Sequence, residues 1–323
     1  EAYSTELRIK FQNILMAAFE GIRADFEVSL GNAILARVHL SIRTAPGKVP
    51  DFDVKALEAS LTEAARRWDD RLRDALVEEV GEARGMELFK RWGAGFPQVY
   101  REVVSARAAV PDVLKVDAMG EPTPLGLSMY RPLGAGPHTL GLKVYQRGAK
   151  VVLSDSLPML ENMGARVHGE DNFRITAPGT HDDAQGFISL HDFKLEAVSA
   201  EGIEPEALSR LFENAFAKVF RGEVESDEFN RLVLRAGLSA DEVVVLRAYS
   251  KYLRQIGFAL SQSMIKATLV AHPHIARMLV KLFKLRFDPA AHDDAAAAEQ
   301  VLAIEQALDK VSNLSEDRVL RQF

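Results

Sequence analysis

Apolar residues along this chain switch between two periods, and the switches divide it into recognisable elements. Leu7, Phe11, Ile14, Leu15 and Ala18 keep helical spacing up to Gly21, with Ser4 and Thr5 placed to cap the helix. Asp25 to Leu30 is a short mixed run, and Gly31-Asn32 is a turn signal. Beyond it Ile34, Ala36, Val38, Leu40 and Ile42 alternate with Leu35, Arg37, His39, Ser41 and Arg43. This predicts a hairpin with one wet face. After the loop from Pro46 to Pro50, the positions Val54, Leu57, Leu61, Ala65, Trp68, Leu72 and Leu76 predict one long amphipathic helix. The order is αββα, which is what remains of a split βαβ arrangement, βαββαβ, when its outer strands are missing or weakly marked; the missing first strand is expected before Glu1.

From Gly81 to Asp117 the pattern reads as a helical connector. Met86, Leu88, Phe89 and Trp92 suggest a short helix, Gly93 to Pro97 breaks it, and Val99 to Val104 suggests another. Glu121-Pro122-Thr123-Pro124 marks a boundary, since neither proline suits a helix interior or a central strand. Period two then returns in Leu125, Leu127 and Met129, and again in Leu140, Leu142 and Val144 after a Gly/Pro loop; both runs suit strands of one sheet. Gly148 ends the second strand, and Ser154 or Asp155 is expected to cap a helix running through Leu157, Leu160, Glu161 and Met163 to a stop at Gly164, with Pro158 in its first turn. Ala165 to Ile175 and Phe187 to Leu195 read as paired strands around a polar loop from Pro178-Gly179 to Gly186. Leu208, Leu211, Phe212, Ala215, Phe216, Val219 and Phe220 then form a helical stripe. The second unit again spells βαββα.

Beyond Gly222 every period is helical. Ser226 to Ala236 is one segment, and the capping box Ser239-Ala-Asp-Glu242 opens another through Phe258. Helices over Gln262 to His272, Pro273 to Phe287 and Ala295 to Val311 follow. The expected fold class is therefore α+β: tandem ferredoxin-like βαββαβ units followed by an all-helical segment. The expected boundaries are 1–84 for a first unit lacking its first strand, 85–120 for the connector, 121–222 for the second unit and 223–323 for the helical segment.

Composition narrows the class without changing this picture. With 323 residues and 47% apolar content the chain can bury a sizeable core. A net charge of −6 gives no global field for a phosphate backbone, so nucleic acid is not an expected partner. No cysteine occurs, which removes disulfides and thiolate chemistry and fits a reducing compartment. No apolar run is long enough for a membrane span, and the opening EAYSTELRIK has no signal-peptide core. A cytoplasmic location is expected, with no membrane partner. Because the first residue is Glu1, the chain is expected to be a piece of something longer.

Chemistry is sparse. Gly134-Ala-Gly136 with Gly141 has the wrong spacing for a dinucleotide fingerprint, and a strand rather than a helix follows it, so a turn is the expected reading. His181-Asp182-Asp183, His191-Asp192, His292-Asp293-Asp294 and the His272/His274 pair place acids beside histidines, but adjacency is not the convergence of three or four ligands a metal needs. Solvated surface pairs are the plainer reading, and no metal site is expected. Arg277 to Arg286 is a basic amphipathic helix that could touch an acidic surface, although packing through Met278, Leu279, Leu282, Phe283 and Leu285 explains it better. No catalytic or cofactor-binding residue stands out.

Four stretches carry a resemblance. LGLKVYQRGAKVVLSDSLPMLENMGARVHGEDN at Leu140 to Asn172, FISLHDFKL at Phe187 to Leu195, FENAFAKVFRGEVESDEFNRLVLRAGL at Phe212 to Leu238 and the run from Leu246 to Pro289 resemble the segment that precedes the catalytic domain in large bacterial NAD-specific glutamate dehydrogenases. The resemblance implies ACT-like regulatory domains, a catalytic domain in the same chain, a homo-oligomer, NAD as the parent's cofactor and oxidative deamination of L-glutamate as the parent's reaction. The nucleotide-binding unit and glycine-flanked lysine of that reaction are absent here, so this stretch should be inactive alone and hold no cofactor. In ACT modules effectors gather at the junction of first strand and helix, which implicates Gln146, Arg147, Gly148, Ser154 and Asp155 in binding an amino-acid effector. Capping alone would also explain Ser154 and Asp155. A stand-alone amino-acid sensor and a purely structural oligomerisation scaffold are the other readings; effector binding separates those two.

Overall fold

The computed structural model describes residues 5–29, 37–47, 50–120, 124–136, 138–176, 186–198 and 205–323. The expected Ser4 cap, the Gly31-Asn32 turn, the alternation at Ile34 to Ala36 and His181 to Asp183 lie outside them. Two compact units are present, residues 1–94 with 98–114, and residues 95–97 with 115–323.

In the first unit, helix α1 (Thr5–Ala18) leads into an antiparallel pair, β1 (Arg23–Ser29) and β2 (Arg37–Arg43), with Phe26 opposite Leu40 and Val28 opposite Val38. Strand β2 alternates as expected, Val38, Leu40 and Ile42 being the half-buried positions. Gly21 sits where the chain turns from α1 to β1, and a Cβ there would lie 2.5 Å from Ile42 Cγ2 and 2.8 Å from Met16 Sδ. Only glycine permits that approach.

The single helix expected from Val54 to Leu76 is two. Helix α2 (Val54–Ala65) starts at Asp53, whose carboxylate accepts from the amides of Lys55 and Ala56. It ends at Arg66, and α3 (Trp68–Val80) begins after Arg67; both arginines are extended, with ψ of 132° and 153°. The break turns Trp68 so that its indole N–H donates to the Val104 carbonyl at 2.9 Å while its ring meets Tyr100 edge-on. Helices α4 (Glu82–Trp92), α5 (Gln98–Val103) and α6 (Val110–Ala118) follow, the last not foreseen from the pattern. Burial in this unit concentrates among α3 to α6, at Leu72, Leu76, Leu88, Trp92, Tyr100 and Val113, and α2 has no buried residue. The buried Tyr100 hydroxyl donates to the buried Asp112 carboxylate.

The second unit holds a four-stranded antiparallel sheet in the order β3-β4-β6-β5, built from β3 (Leu125–Tyr130), β4 (Thr139–Arg147), β5 (Ala165–Thr176) and β6 (Phe187–Ala197). The runs at Leu140 and Phe187 are thus adjacent strands of one sheet, with Leu142 opposite Phe193 and Val144 opposite His191. Strands β4 and β5 are joined by helix α7 (Leu153–Asn162) with β6 between them, and helix α8 (Pro205–Phe220) follows β6 and packs against β3. The fourth strand, β3, therefore comes from before the first βα step rather than after the second helix.

Leu127, Leu142, Val144, Phe193 and Leu195 face Phe212 and Phe216 of α8, and the same core continues into the helical segment. That segment consists of a 3₁₀ turn (Glu228–Asn230), α9 (Arg231–Ala236), α10 (Ala240–Gln255), α11 (Gln262–Ala271), α12 (Pro273–Phe287), α13 (Asp294–Leu308) and α14 (Leu314–Gln322). Each fully buried phenylalanine or leucine here contributes roughly 1.5–3 kcal/mol. The capping box is present: the Glu242 amide donates to Ser239 Oγ and the Ser239 amide to Glu242 Oε2. The basic helix α12 packs through Met278, Leu279 and Leu282, and Lys284 pairs with Glu242. Among the described residues no helix is long and apolar enough to cross a membrane.

Candidate functional site

Strand β4 ends on Gln146 and Arg147, and Gly148 follows; the end is held by the neighbouring strand and by the residue before β3. The Arg147 amide donates to the Pro124 carbonyl at 2.8 Å, and the Gly148 amide to Phe187 at 2.9 Å. Gly148 adopts φ of 67°, which lets the chain leave the sheet at that point. Gln146 lies opposite Ser189 of β6, and both belong to the sheet face that carries Val144 and Phe193.

This pair is chemically unusual. Ser189 is 5% exposed, and both its Oγ and Gln146 Oε1 are buried without a hydrogen-bond partner. Leaving such groups unmatched costs about 1–3 kcal/mol each. Arg147, the next residue of the strand and so on the opposite face, has an unmatched Nε of its own, while its Nη2 donates to the Met119 carbonyl at 3.1 Å. The end of β4 thus leaves an amide oxygen and a hydroxyl unmatched on one face of the sheet and a guanidinium N–H unmatched on the other.

Ser154 and Asp155 stand apart from it. They do not cap α7 as expected: the N-cap residue is Val152, with no side-chain cap, so Ser154 and Asp155 are exposed on the first turn, Ser154 Oγ at 3.5 Å from Asp155 Oδ1. In this first turn the Ser156 amide and hydroxyl both donate to the Val152 carbonyl, at 3.1 and 3.0 Å. Pro158 falls at the sixth helical residue, not in the first turn. No hydrogen bond or ion pair between described residues joins Ser154 or Asp155 to Gln146, Arg147 or Gly148. Asp155 still places its charge at the positive end of α7.

The sequence reading missed Ser189. Its signal was present, a lone hydroxyl in the apolar run FIS-L, but only the register puts it opposite Gln146. The histidines resolve into pairs: His191 Nδ1 lies 2.6 Å from Glu170 Oε1 in a nearly buried contact, and His272 Nε2 lies 2.9 Å from Glu316 Oε2. Asp192 instead accepts from Tyr130 at 2.8 and 3.0 Å. No group of three or more metal-ligating side chains converges among the described residues.

Four family models match the chain in order: glutamate dehydrogenase ACT2 domain over residues 1–69, helical motif 2 over 75–119, ACT3 domain over 124–208 and helical motif 3 over 224–289. The chain belongs to the large NAD-specific glutamate dehydrogenase family. It is 39% identical over 324 residues to an NAD-specific glutamate dehydrogenase of Halomonas elongata, 37% over 328 residues to one of Pseudomonas aeruginosa and 33% over 348 residues to one of Mycobacterium tuberculosis. All of this chain is aligned in each case, against 20% of each relative. The chain therefore spans about a fifth of the length of these relatives, the part carrying two ACT domains and two helical motifs. The β4 end and α7 both lie within the ACT3 match.

Proposed function

We propose that this chain is a regulatory and oligomerisation portion of an NAD-dependent glutamate dehydrogenase, non-catalytic by itself. In this reading the whole protein is a cytoplasmic homo-oligomer that oxidatively deaminates L-glutamate to 2-oxoglutarate and ammonia, with NAD bound by a catalytic domain elsewhere in the same chain. Support comes from the succession of ACT and helical-motif matches and from relatives whose names specify NAD. The segments would be 1–84, 85–120, 121–222 and 223–323, the first and third being tandem ferredoxin-like units. For the third, the order β3-β4-β6-β5 is that of a split βαβ sheet whose last strand has moved to the front.

The observation that carries an effector role is the unmatched pair Gln146 and Ser189 at the end of β4. An L-amino acid presents an ammonium for Gln146 Oε1 and a carboxylate for the Ser189 hydroxyl, and the start of α7, with Asp155, lies further along the same connection. The test is a thermal-shift screen of the chain against L-amino acids, 2-oxoglutarate and NAD, confirmed by calorimetry. Saturation at about a hundred times Kd adds roughly 2.7 kcal/mol. A selective amino-acid response lost in Gln146→Ala and Ser189→Ala supports the sensor; silence across the screen leaves the scaffold role. Glutamate-dependent NADH formation by the chain alone would refute the non-catalytic assignment.

A further inference from the structure

The charges clustered around Gly164 differ from those of the arginine-rich recess in the first unit. The recess formed by Lys10, Arg66, Arg71, Arg101 and Arg107 in the first unit, about 680 Å³, has its arginines answered: Arg66 by Glu63 and Asp74, Arg71 by Glu63, Arg101 by Asp69 and Arg107 by Glu78. A second recess of about 310 Å³, in the second unit, is lined by Glu161, Gly164, Ala165, Arg166, Arg231 and Arg235. None of its three arginines has an ion pair among the described residues, and Arg231 Nε is buried without any hydrogen-bond partner.

Each element contributes for a local reason. Arg231 and Arg235 are one turn apart on α9 and so share a face. Arg166 is the second residue of β5; its cross-strand neighbour Glu196 is taken by His168 at 2.9 Å. Gly164 follows the end of α7 at φ of 85°, a backbone conformation glycine adopts without strain, and Arg231 Cγ packs beside it, 3.4 Å from where a Cβ would stand. Glu161, the one carboxylate on the wall, pairs with none of the three, which leaves two net positive charges facing one small recess.

We infer that this recess is a binding site for a small oxyanion bearing at least two negative charges, a di- or tricarboxylate or a phosphate. Guanidinium groups bind carboxylate and phosphate oxygens in bidentate pairs, and three of them exceed what a monoanion can satisfy. The volume suits a compact metabolite. The bound anion would bridge the sheet, through Arg166, to α9 of the helical segment, beside the existing Asn162 to Ser226 hydrogen bond of 3.1 Å. It is separate from the amino-acid site and does not depend on it.

The test is calorimetric titration of the chain with citrate and with inorganic phosphate in low-salt buffer, alongside sodium chloride at matched ionic strength. The expected result is a Kd below about 1 mM for at least one of the two. The stronger of the two identifies the ligand as carboxylate or phosphate. Binding should weaken at least about tenfold in Arg231→Gln and in Arg235→Gln, and less in the corresponding lysine variants. Arg210→Gln, on α8, should bind as the parent does. Hydrogen exchange should slow in α9 and at the start of β5 when the anion is present. Arg166 and Arg235 are exposed, so Arg166→Gln and Arg235→Gln decide the matter if Arg231→Gln fails to fold. An equal response to chloride, no binding of either anion at about 10 mM, or undiminished binding in the Arg166 and Arg235 variants would overturn the proposal.

Discussion

Replacing Arg247 with methionine should unfold the second unit at a markedly lower temperature. Arg247 is 5% exposed on α10, and its guanidinium is shared among acceptors that precede it by about twenty residues: Asp227 Oδ1 at 2.9 Å, Asp227 Oδ2 at 3.3 Å, Asn230 Oδ1 at 2.8 Å and the Glu225 carbonyl at 3.3 Å. Methionine keeps the aliphatic volume and removes every donor. The Asp227 carboxylate would then be left in a pocket where its side chain is 18% exposed, with Lys266 Nζ at 3.8 Å and the Phe229 amide at 3.1 Å as partial replacements. Breaking one partner of a buried pair costs about 3–5 kcal/mol, and the lysine should hold the loss toward the lower figure. For a unit of this size that is a fall in Tm of roughly 6–20 °C. Calorimetry is the right assay, because both tryptophans, Trp68 and Trp92, lie in the first unit and their fluorescence does not report on the second. Adding Asp227→Asn, which keeps the cap on the 3₁₀ turn, should recover part of the loss. A loss under about 1 kcal/mol, or strict additivity of the two changes, would show that the network is ornamental to stability.

Other expectations follow from single contacts. A Cβ at Gly141 would fall 2.2 Å from Tyr130 Cζ, so Gly141→Ala should displace the ring that holds Asp192, costing about 1–3 kcal/mol, and Tyr130→Ala in the same chain should relieve much of it; an unchanged Tm in the single variant contradicts this. Burial opposes the charge on Glu242, yet hydrogen bonds from Lys284 and Ser239 hold its carboxyl below the ordinary value of 4.5. Its contribution is therefore complete above that value and is lost as pH falls through the folded one, so Glu242→Gln should flatten the acid limb of a stability profile measured in urea. Burial, with His272 and Lys310 nearby, pushes His274 below the ordinary 6.5, so stability should decline as pH falls from 6.5 toward the folded value, and His274→Gln should remove that slope. Trp68→Phe forfeits the hydrogen bond to the Val104 carbonyl and should lower the stability of the first unit by about 1 kcal/mol, read from its own calorimetric transition.

The sequence by itself determined the elements whose causes are local. Period two placed β2, β3 and β4; period 3.6 placed α1, α8 and α10 to α13; Ser239 and Glu242 announced a helix start that the structure reproduces atom for atom. Capping and periodicity act within a few residues, so they are written in neighbouring letters. Tertiary structure decided the rest. The apolar phase Leu57, Leu61, Ala65, Trp68, Leu72, Leu76 runs unbroken across Arg66 and Arg67, and only the seating of Trp68 on Tyr100 and Val104 reveals that the helix divides there. Ser154 and Asp155 carry cap chemistry, but α7 begins before them, at Leu153, with Val152 as an N-cap that has no side-chain cap. The pairing of Gln146 with Ser189, the convergence of Arg166 with Arg231 and Arg235, and the closure of Arg247 on Asp227 and Asn230 join residues distant in the chain. Such juxtapositions depend on strand register and helix docking, which are set by the burial of a shared core and leave no periodic trace in the sequence.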